Sequence, residues 1–226
     1  MNHKSFLSVI RGKYKNKKIA VPEKIHGHNN VTPQKIKESV FQIIENHFHT
    51  ANPEENKAVF VDLFSGSGQM GIEAVSRGFN HVFFFDISKE RIRKTSQWIR
   101  QNAVSETQKC TCEVKDGVRE FYKILTDTSC VSDYLRQNPE AKELVIFSDP
   151  PYGLNSKKKY LLDFLIENKT TIPGLEKDWS LLLIIQTCDN DLYRSEHSEI
   201  QKFPETGKPE YVRGYYKYGR HLLIVM

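Results

Sequence analysis

Val61-Asp62-Leu63-Phe64-Ser65-Gly66-Ser67-Gly68-Gln69-Met70-Gly71 carries an apolar strand into a glycine-rich turn and out into a helix. Glycines at 66, 68 and 71 let the backbone turn sharply and let a ligand approach without meeting a Cβ. A bare strand-to-helix turn is the plain alternative, but three glycines in this context favour a site for a nucleotide-type ligand without saying which one. The strand itself, 58–64, is continuously apolar, as a strand buried on both faces reads.

Outward from this stretch, strands and helices alternate. Strands are expected at 81–87, 110–114, 143–149, 179–187 and 220–226. Helices are expected after the glycine turn as far as Gly78, then at 88–103, 117–125 and 159–168. That alternation predicts an α/β, doubly wound, mainly parallel sheet. The polar stretch 126–142 gives no clear pattern. Upstream, SFLSVIRGKYKNKKIAVP alternates loosely and predicts a hairpin about Lys15-Asn16. Thr32-Pro33 reads as an N-cap followed by proline at the first helical position. Ile36, Val40, Ile43, Ile44 and His47 then follow at helical spacing to about Phe48. Residues 50–57 read as a connector.

The 226 residues suit one domain with a small appendage. Lys plus Arg number 33 against 28 Asp plus Glu, too mild an excess for a binder driven by a charged tail. Hydrophobic residues at 38% with 11% aromatics allow a packed core, which argues against disorder. No apolar run approaches the roughly 20 residues of a membrane span, and the charged N-terminus does not read as a secretory signal. The cysteines at 110, 112, 130 and 188 are too dispersed for a zinc site. Reduced thiols in a cytoplasmic protein are expected, and no metal.

Two further acids sharpen the site. Asp86 ends the second expected strand, where a carboxylate can accept hydrogen bonds from both ribose hydroxyls. Asp116 follows the third, within reach of an adenine amine. Either one, taken singly, also suits a helix N-cap. At the end of the fourth strand stands Ser148-Asp149-Pro150-Pro151-Tyr152. A proline-rich loop would serve to stop a strand. The combination also fits activation of an exocyclic base amine, whose lone pair is delocalised into the ring. Asp149 and the Pro150 carbonyl can each accept one N–H and draw the nitrogen toward tetrahedral geometry. Pro151 fixes the loop, and Tyr152 can stack on an extruded base.

D-x-F-x-G-x-G-x-x-G with D-P-P-Y resembles the S-adenosylmethionine-dependent amino-methyltransferases. More narrowly, the chain resembles the RsmD-type family, which methylates N2 of a guanine in small-subunit (16S) ribosomal RNA. Residues 9–18 (VIRGKYKNKK) are similar to that family's basic hairpin, and 32–41 (TPQKIKESVF) to its first helix. LFSGSG at 63–68 with GIEAVSRG at 71–78 is the most specific match. Asn30-Val31 replaces the family's Arg-Pro, Lys35 and Lys37 replace two arginines, and Gln186 replaces a common Glu. Lysine keeps the charge but loses bidentate contact with phosphate. Residues 126–142 and 204–213 look like insertions.

The resemblance implies a class I methyltransferase domain at 50–226 with seven strands, the last antiparallel. Residues 1–49 would form an RNA-facing hairpin and helix. It implies a donor site of Asp62, Phe64, Gly66, Ser67, Gly68, Gly71, Asp86, Ile87, Asp116 and Gly117. The catalytic set would be Asp149, Pro150, Pro151 and Tyr152. Arg11, Lys13, Lys15, Lys17, Lys18, Lys35 and Lys37 would face RNA, although a basic surface can also serve solubility alone. Lys157, Lys158 and Lys159 are further phosphate candidates. Tyr211, Tyr215, Tyr216 and Tyr218 suit base stacking or core packing equally. The expected partner is ribosomal RNA, naked or in a small-subunit particle, bound by a monomer. Three other readings stay open: an adenine-N6 methyltransferase, a dinucleotide-dependent oxidoreductase, and a non-catalytic RNA-binding assembly module.

Overall fold

The computed structural model describes residues 6–20, 32–48, 57–102, 109–141, 143–150, 180–188, 214–218 and 221–225. In chain order these give β1 (Phe6–Ser8), β2 (Lys18–Ala20), α1 (Gln34–Phe48), β3 (Val59–Asp62), α2 (Gln69–Ser76), β4 (His81–Asp86) and α3 (Lys89–Gln101). They continue as β5 (Lys109–Val114), α4 (Gly117–Leu125), α5 (Cys130–Gln137), β6 (Glu143–Ser148), β7 (Ser180–Cys188), β8 (Gly214–Tyr218) and β9 (His221–Val225).

Strands β3 to β9 form one sheet in the order β5-β4-β3-β6-β7-β9-β8. The first five in that order run parallel, while β9 is antiparallel to both β7 and β8. Successive side chains of a strand go to opposite faces, so an apolar run supplies two cores. Phe60, Phe84, Phe147 and Ile184 pack with α1, α2 and α3 on one face. Val61, Phe83, Phe85 and Ile146 pack with α4 and α5 on the other. This is the doubly wound architecture expected, with the last strand antiparallel.

Two elements go beyond what the sequence pattern showed, and one expectation needs correction. Helix α5 occupies 130–137, inside the polar stretch that showed no clear pattern, capped by the Ser129 hydroxyl and anchored by Val131 and Leu135. Strand β8 supplies the seventh strand, which no apolar run announced. Helix α1 begins at Gln34, with the Pro33 carbonyl accepting from the Lys37 N–H. Proline therefore precedes the helix, and Thr32 does not sit at its cap. The expected helix at 159–168 lies outside the described residues.

The β1–β2 hairpin and α1 share the sheet's core. Val9, Tyr14, Ile19, Ile36, Val40, Phe41 and Ile44 are buried in the same cluster as Phe60 and Phe84. Gly12 adopts φ +86° where the hairpin meets the end of α2, and a Cβ there would lie 1.8 Å from the Ser76 carbonyl oxygen. Lys13 and Tyr14 N–H groups bond the Ser76 carbonyl and hydroxyl at 2.7 and 2.9 Å. On the far side, the Trp98 indole donates to the Lys18 carbonyl at 2.9 Å.

Candidate active site

The chain runs outward from β3 to β4 and β5, then returns to the other side of β3 as β6. Such a reversal opens a crevice at the carboxyl ends of the strands, where ligands of open α/β sheets bind. The exits of β3 and β6 are tied directly, the Leu63 N–H donating to the Phe147 carbonyl at 3.1 Å. The expected donor-site clusters at 62–71, 86–87 and 116–117 lie at this edge, with residues 149 and 150 of the expected catalytic cluster 149–152.

The glycine turn is held by its neighbours. The Ser65 N–H donates to the Phe85 carbonyl at 2.8 Å and the Gly66 N–H to Asp86 Oδ2 at 2.9 Å. Gly66 and Gly68 take left-handed conformations, φ +53° and +75°. Among the described residues a Cβ on Gly66 would meet only the Phe64 carbonyl oxygen, at 3.7 Å, so these residues leave space for a ligand there. Gly68 stands at the N-cap of α2 and has no side chain to cap it. Asp62 does part of that work from the end of β3, its Oδ2 accepting from the Gly71 N–H at 3.1 Å. Gly71 serves packing, since a Cβ there would lie 2.2 Å from the buried Phe84 ring. Gly117 is similar, its missing Cβ leaving room for the Leu63 carbonyl and the Phe64 ring. Ser67 is partly buried in the turn.

Burial raises the Asp62 carboxyl pKa to about 8, and Asp149 and Asp86 push it the same way against the Gly71 hydrogen bond. The Asp62 carboxyl therefore feels both of the other acids at this edge. Asp86 accepts from Gly66 and Ser88 N–H groups and lies 3.5 Å from an Arg91 guanidinium nitrogen. It shapes the turn and stands beside the open space. Ile87, 64% exposed, offers an apolar side chain next to it. Asp116 caps α4, accepting from Val118 and Arg119 N–H groups through Oδ1.

At the exit of β6, Asp149 is half-buried and Pro150 buried. The Thr32 hydroxyl, itself buried, donates to Asp149 Oδ2 at 3.1 Å across 117 residues of chain. Pro151, Tyr152, Lys157, Lys158, Lys159 and Tyr211 lie outside the described residues. Tyr216 is exposed and Tyr218 packs against the core. Gln186 is buried on β7 opposite Leu223.

The basic extension divides into two kinds of residue. Arg11, Lys13, Lys15, Lys17, Lys18 and Lys35 are exposed. Lys37 is not, and its expected RNA contact is corrected here. It is 2% exposed, its Nζ donating to the Ser8 carbonyl at 2.8 Å and lying 3.4 Å from Glu73. Burial lowers its pKa, and Glu73 opposes that shift. Glu73, fully buried on α2, also accepts from the Ile10 and Arg11 N–H groups and from Arg77. Arg77 in turn pairs with Glu45 of α1 at 2.6 Å. The sequence pattern assigned Glu73 no role of its own within the glycine motif. The signal was a lone carboxylate in the apolar run GIEAV, which demands cations nearby.

Among the described residues no group of three His, Cys, Asp or Glu could hold a metal ion. No described helix is long and apolar enough to cross a membrane. Cys110, Cys112 and Cys130 are free thiols, and burial pushes the Cys110 thiol up to about 12.

The family described as conserved hypothetical protein 95 matches residues 7–175. A Bacillus subtilis protein named "Putative rRNA methyltransferase YlbH" is 41% identical over 177 residues, 77% of this chain and 74% of that one. The Haemophilus influenzae protein named ribosomal RNA small subunit methyltransferase D is 24% identical over 93% of this chain and 94% of its own. Among solved structures, one titled "Putative methyltransferase yhhF from Escherichia coli" superposes with a TM-score of 0.57 at 14% identity, covering 98% and 97% of the two chains. That likeness shows the fold, a class I methyltransferase domain. The chain belongs to the RsmD-type methyltransferase family.

Proposed function

We propose that this protein transfers a methyl group from S-adenosylmethionine to the N2 amine of a guanine in small-subunit (16S) ribosomal RNA. One observation carries the reading. Asp149 and Pro150 stand at the exit of β6, across the chain reversal from the glycine turn that leaves β3. A donor in the turn and an amine at Asp149 would meet in one crevice.

The donor fits the residues present. The left-handed glycines and the open space at Gly66 receive it, and Asp86 stands where a ribose would be recognised. The exposed Ile87 can cover an adenine face, with Asp116 at the edge of the same crevice. The donor supplies an electrophilic methyl on a sulfonium. The chain's own work is positioning and polarisation. Asp149 and the Pro150 carbonyl would accept the two N–H bonds and aim the nitrogen lone pair at the methyl, with Tyr152 holding the base by stacking. As the N–C bond formed the C–S bond would break, leaving S-adenosylhomocysteine, and the proton lost by the amine would pass to water, by way of the Asp149 carboxylate. N2 lies in the pairing face, so the guanine must be unpaired or flipped. The extension, residues 1–49, would present Arg11, Lys13, Lys15, Lys17, Lys18 and Lys35 to the phosphates, the protein acting as a monomer.

Mass-spectrometric mapping of ribosomal RNA from cells lacking this protein tests the reading. Loss of a single N2-methylguanine in the small-subunit RNA is expected, restored by the purified protein and S-adenosylmethionine. An unchanged small-subunit RNA, or a missing N6-methyladenine instead, refutes the guanine assignment.

A further inference from the structure

We infer that Thr32 is a positioning residue for methyl transfer, its hydroxyl holding the carboxylate of Asp149 in the orientation that receives the target amine. The inference rests on the proposed role of Asp149 and names the partner that role needs.

Asp149 stands just past the last residue of β6, Ser148, so backbone pairing does not fix its side chain. It is also one of three acids at this edge. Asp62 and Asp86 end β3 and β4 at the same edge, and Asp149 contributes to raising the Asp62 pKa. An aspartate side chain just past a strand end can turn about its own Cα–Cβ bond toward solvent. The 3.1 Å hydrogen bond from Thr32 opposes that rotation.

Thr32 can do this because its own place is fixed. Its side chain is 6% exposed, and it precedes the 15-residue helix α1 by two positions. Ile36, Val40, Phe41 and Ile44 bury that helix against the sheet. The start of α1 therefore stands beside Asp149. An ionised carboxylate is the stronger acceptor for an N–H that gains positive charge during transfer. A threonine placed as an N-cap would have spent its hydroxyl on its own helix. Here it crosses from the extension to the methyltransferase sheet.

The test is single-turnover methylation with tritiated donor, on naked 16S RNA and on small-subunit particles from cells lacking the protein. Calorimetry of donor binding and filter binding of RNA run on the same variants. Thr32→Val keeps the shape and removes the hydroxyl. A rate loss of about ten- to hundredfold is expected, as for removal of a hydrogen bond to a charged group, with donor and RNA affinities within about twofold of wild type. Thr32→Ser should recover most of the rate, which a methyl-packing role would not predict. Placed on Asp149→Ala, Thr32→Val should cost nothing more, because the group it positions is gone. Wild-type rates in Thr32→Val beside an inactive Asp149→Ala would overturn the inference and leave the role of Asp149 standing. An active Asp149→Ala would sink both. Equal losses in Thr32→Val and Thr32→Ser, or full additivity with Asp149→Ala, would make Thr32 structural only.

Discussion

Replacing Lys37 by methionine separates scaffold from RNA surface. Lys37 sits in a row of basic residues, yet its ammonium is buried between the Ser8 carbonyl and Glu73. Removing one partner of a buried pair costs about 3–5 kcal/mol when it strands the other charge. Glu73 is not stranded here. It keeps Arg77 at 3.1 Å and the backbone N–H groups of Ile10 and Arg11 at 2.8 and 2.9 Å. The methionine also avoids desolvating an ammonium and fills much of the same volume. The uncompensated part is the hydrogen bond to Ser8, worth about 1–2 kcal/mol with its acceptor left part-buried.

Lys37→Met should therefore destabilise by about 1–2 kcal/mol in urea unfolding. Glu73→Gln should cost about 3–5 kcal/mol, because it leaves Lys37 and Arg77 facing each other without their shared carboxylate. RNA affinity measured against salt completes the assay. Lys37→Met should leave the slope of log affinity against log salt unchanged. Neutralising Lys13, Lys15, Lys17 and Lys18 together, all exposed, should flatten it by about 0.7 for each phosphate that no longer meets a cation. A Lys37→Met protein of wild-type stability with a flatter slope would refute the buried-pair account.

Asp62, at about 8 in the fold against 3.8 for an ordinary aspartate, takes up a proton on folding between those values. Its contribution is fully present below about pH 3.8 and is lost as pH rises toward 8, so Asp62→Asn should flatten that decline; parallel wild-type and variant unfolding profiles from pH 5 to 8.5 would contradict it. Asp86→Ala should weaken S-adenosylmethionine binding by about 1–3 kcal/mol in calorimetry, since the Gly66 and Ser88 N–H groups lose their acceptor along with the ligand. NAD should not bind the wild-type protein, and tighter binding of NAD than of S-adenosylmethionine would return the site to the oxidoreductase reading. Gly71→Ala should destabilise more than Gly66→Ala, about 3 against about 1–2 kcal/mol, because its Cβ meets the Phe84 ring at 2.2 Å while that of Gly66 meets strain but open space. The reverse order in urea unfolding would show that the turn's strain, not the helix-to-strand contact, dominates.

The inner parallel strands β3, β4 and β6 could be read because burial on both faces leaves an almost unbroken apolar run. HVFFFD supplies Phe83 and Phe85 to one core and Val82 and Phe84 to the other. Strand β8, GYYKY, lies at the sheet's edge and shows neither pattern. Helix α5 was opaque because only Val131 and Leu135 among its eight residues are fully buried aliphatics, with Cys130 and Tyr134 packing from its flank. Lys37 did leave a signal. It lies four residues before Phe41 and seven before Ile44, on the buried stripe of α1, where a charge has to find a partner. Thr32 left none that local pattern could use. Serine or threonine before a helix suits a cap, and only the return of β6 beside β3 brings Asp149 to it.

Helix α2 is the point at which the two halves of the chain meet. Its first turn is fixed by the glycine loop and by Asp62 reaching the Gly71 N–H. Two residues on, Glu73 gathers Lys37, Arg77 and the backbone of the hairpin, and at the helix end Ser76 takes the hairpin's next N–H groups. The extension is thus packed onto the helix whose start shapes the open space at Gly66. Close-packed interiors transmit displacement because they have no slack to absorb it. A phosphate backbone pulling on the exposed lysines of the hairpin would act on a rigid body that contains both the donor turn, through α2, and Asp149, through Thr32. The physical reason for fusing a basic hairpin and helix to this sheet is therefore geometric. On the proposed reading, the element that would meet the RNA also fixes where the two reacting groups would stand.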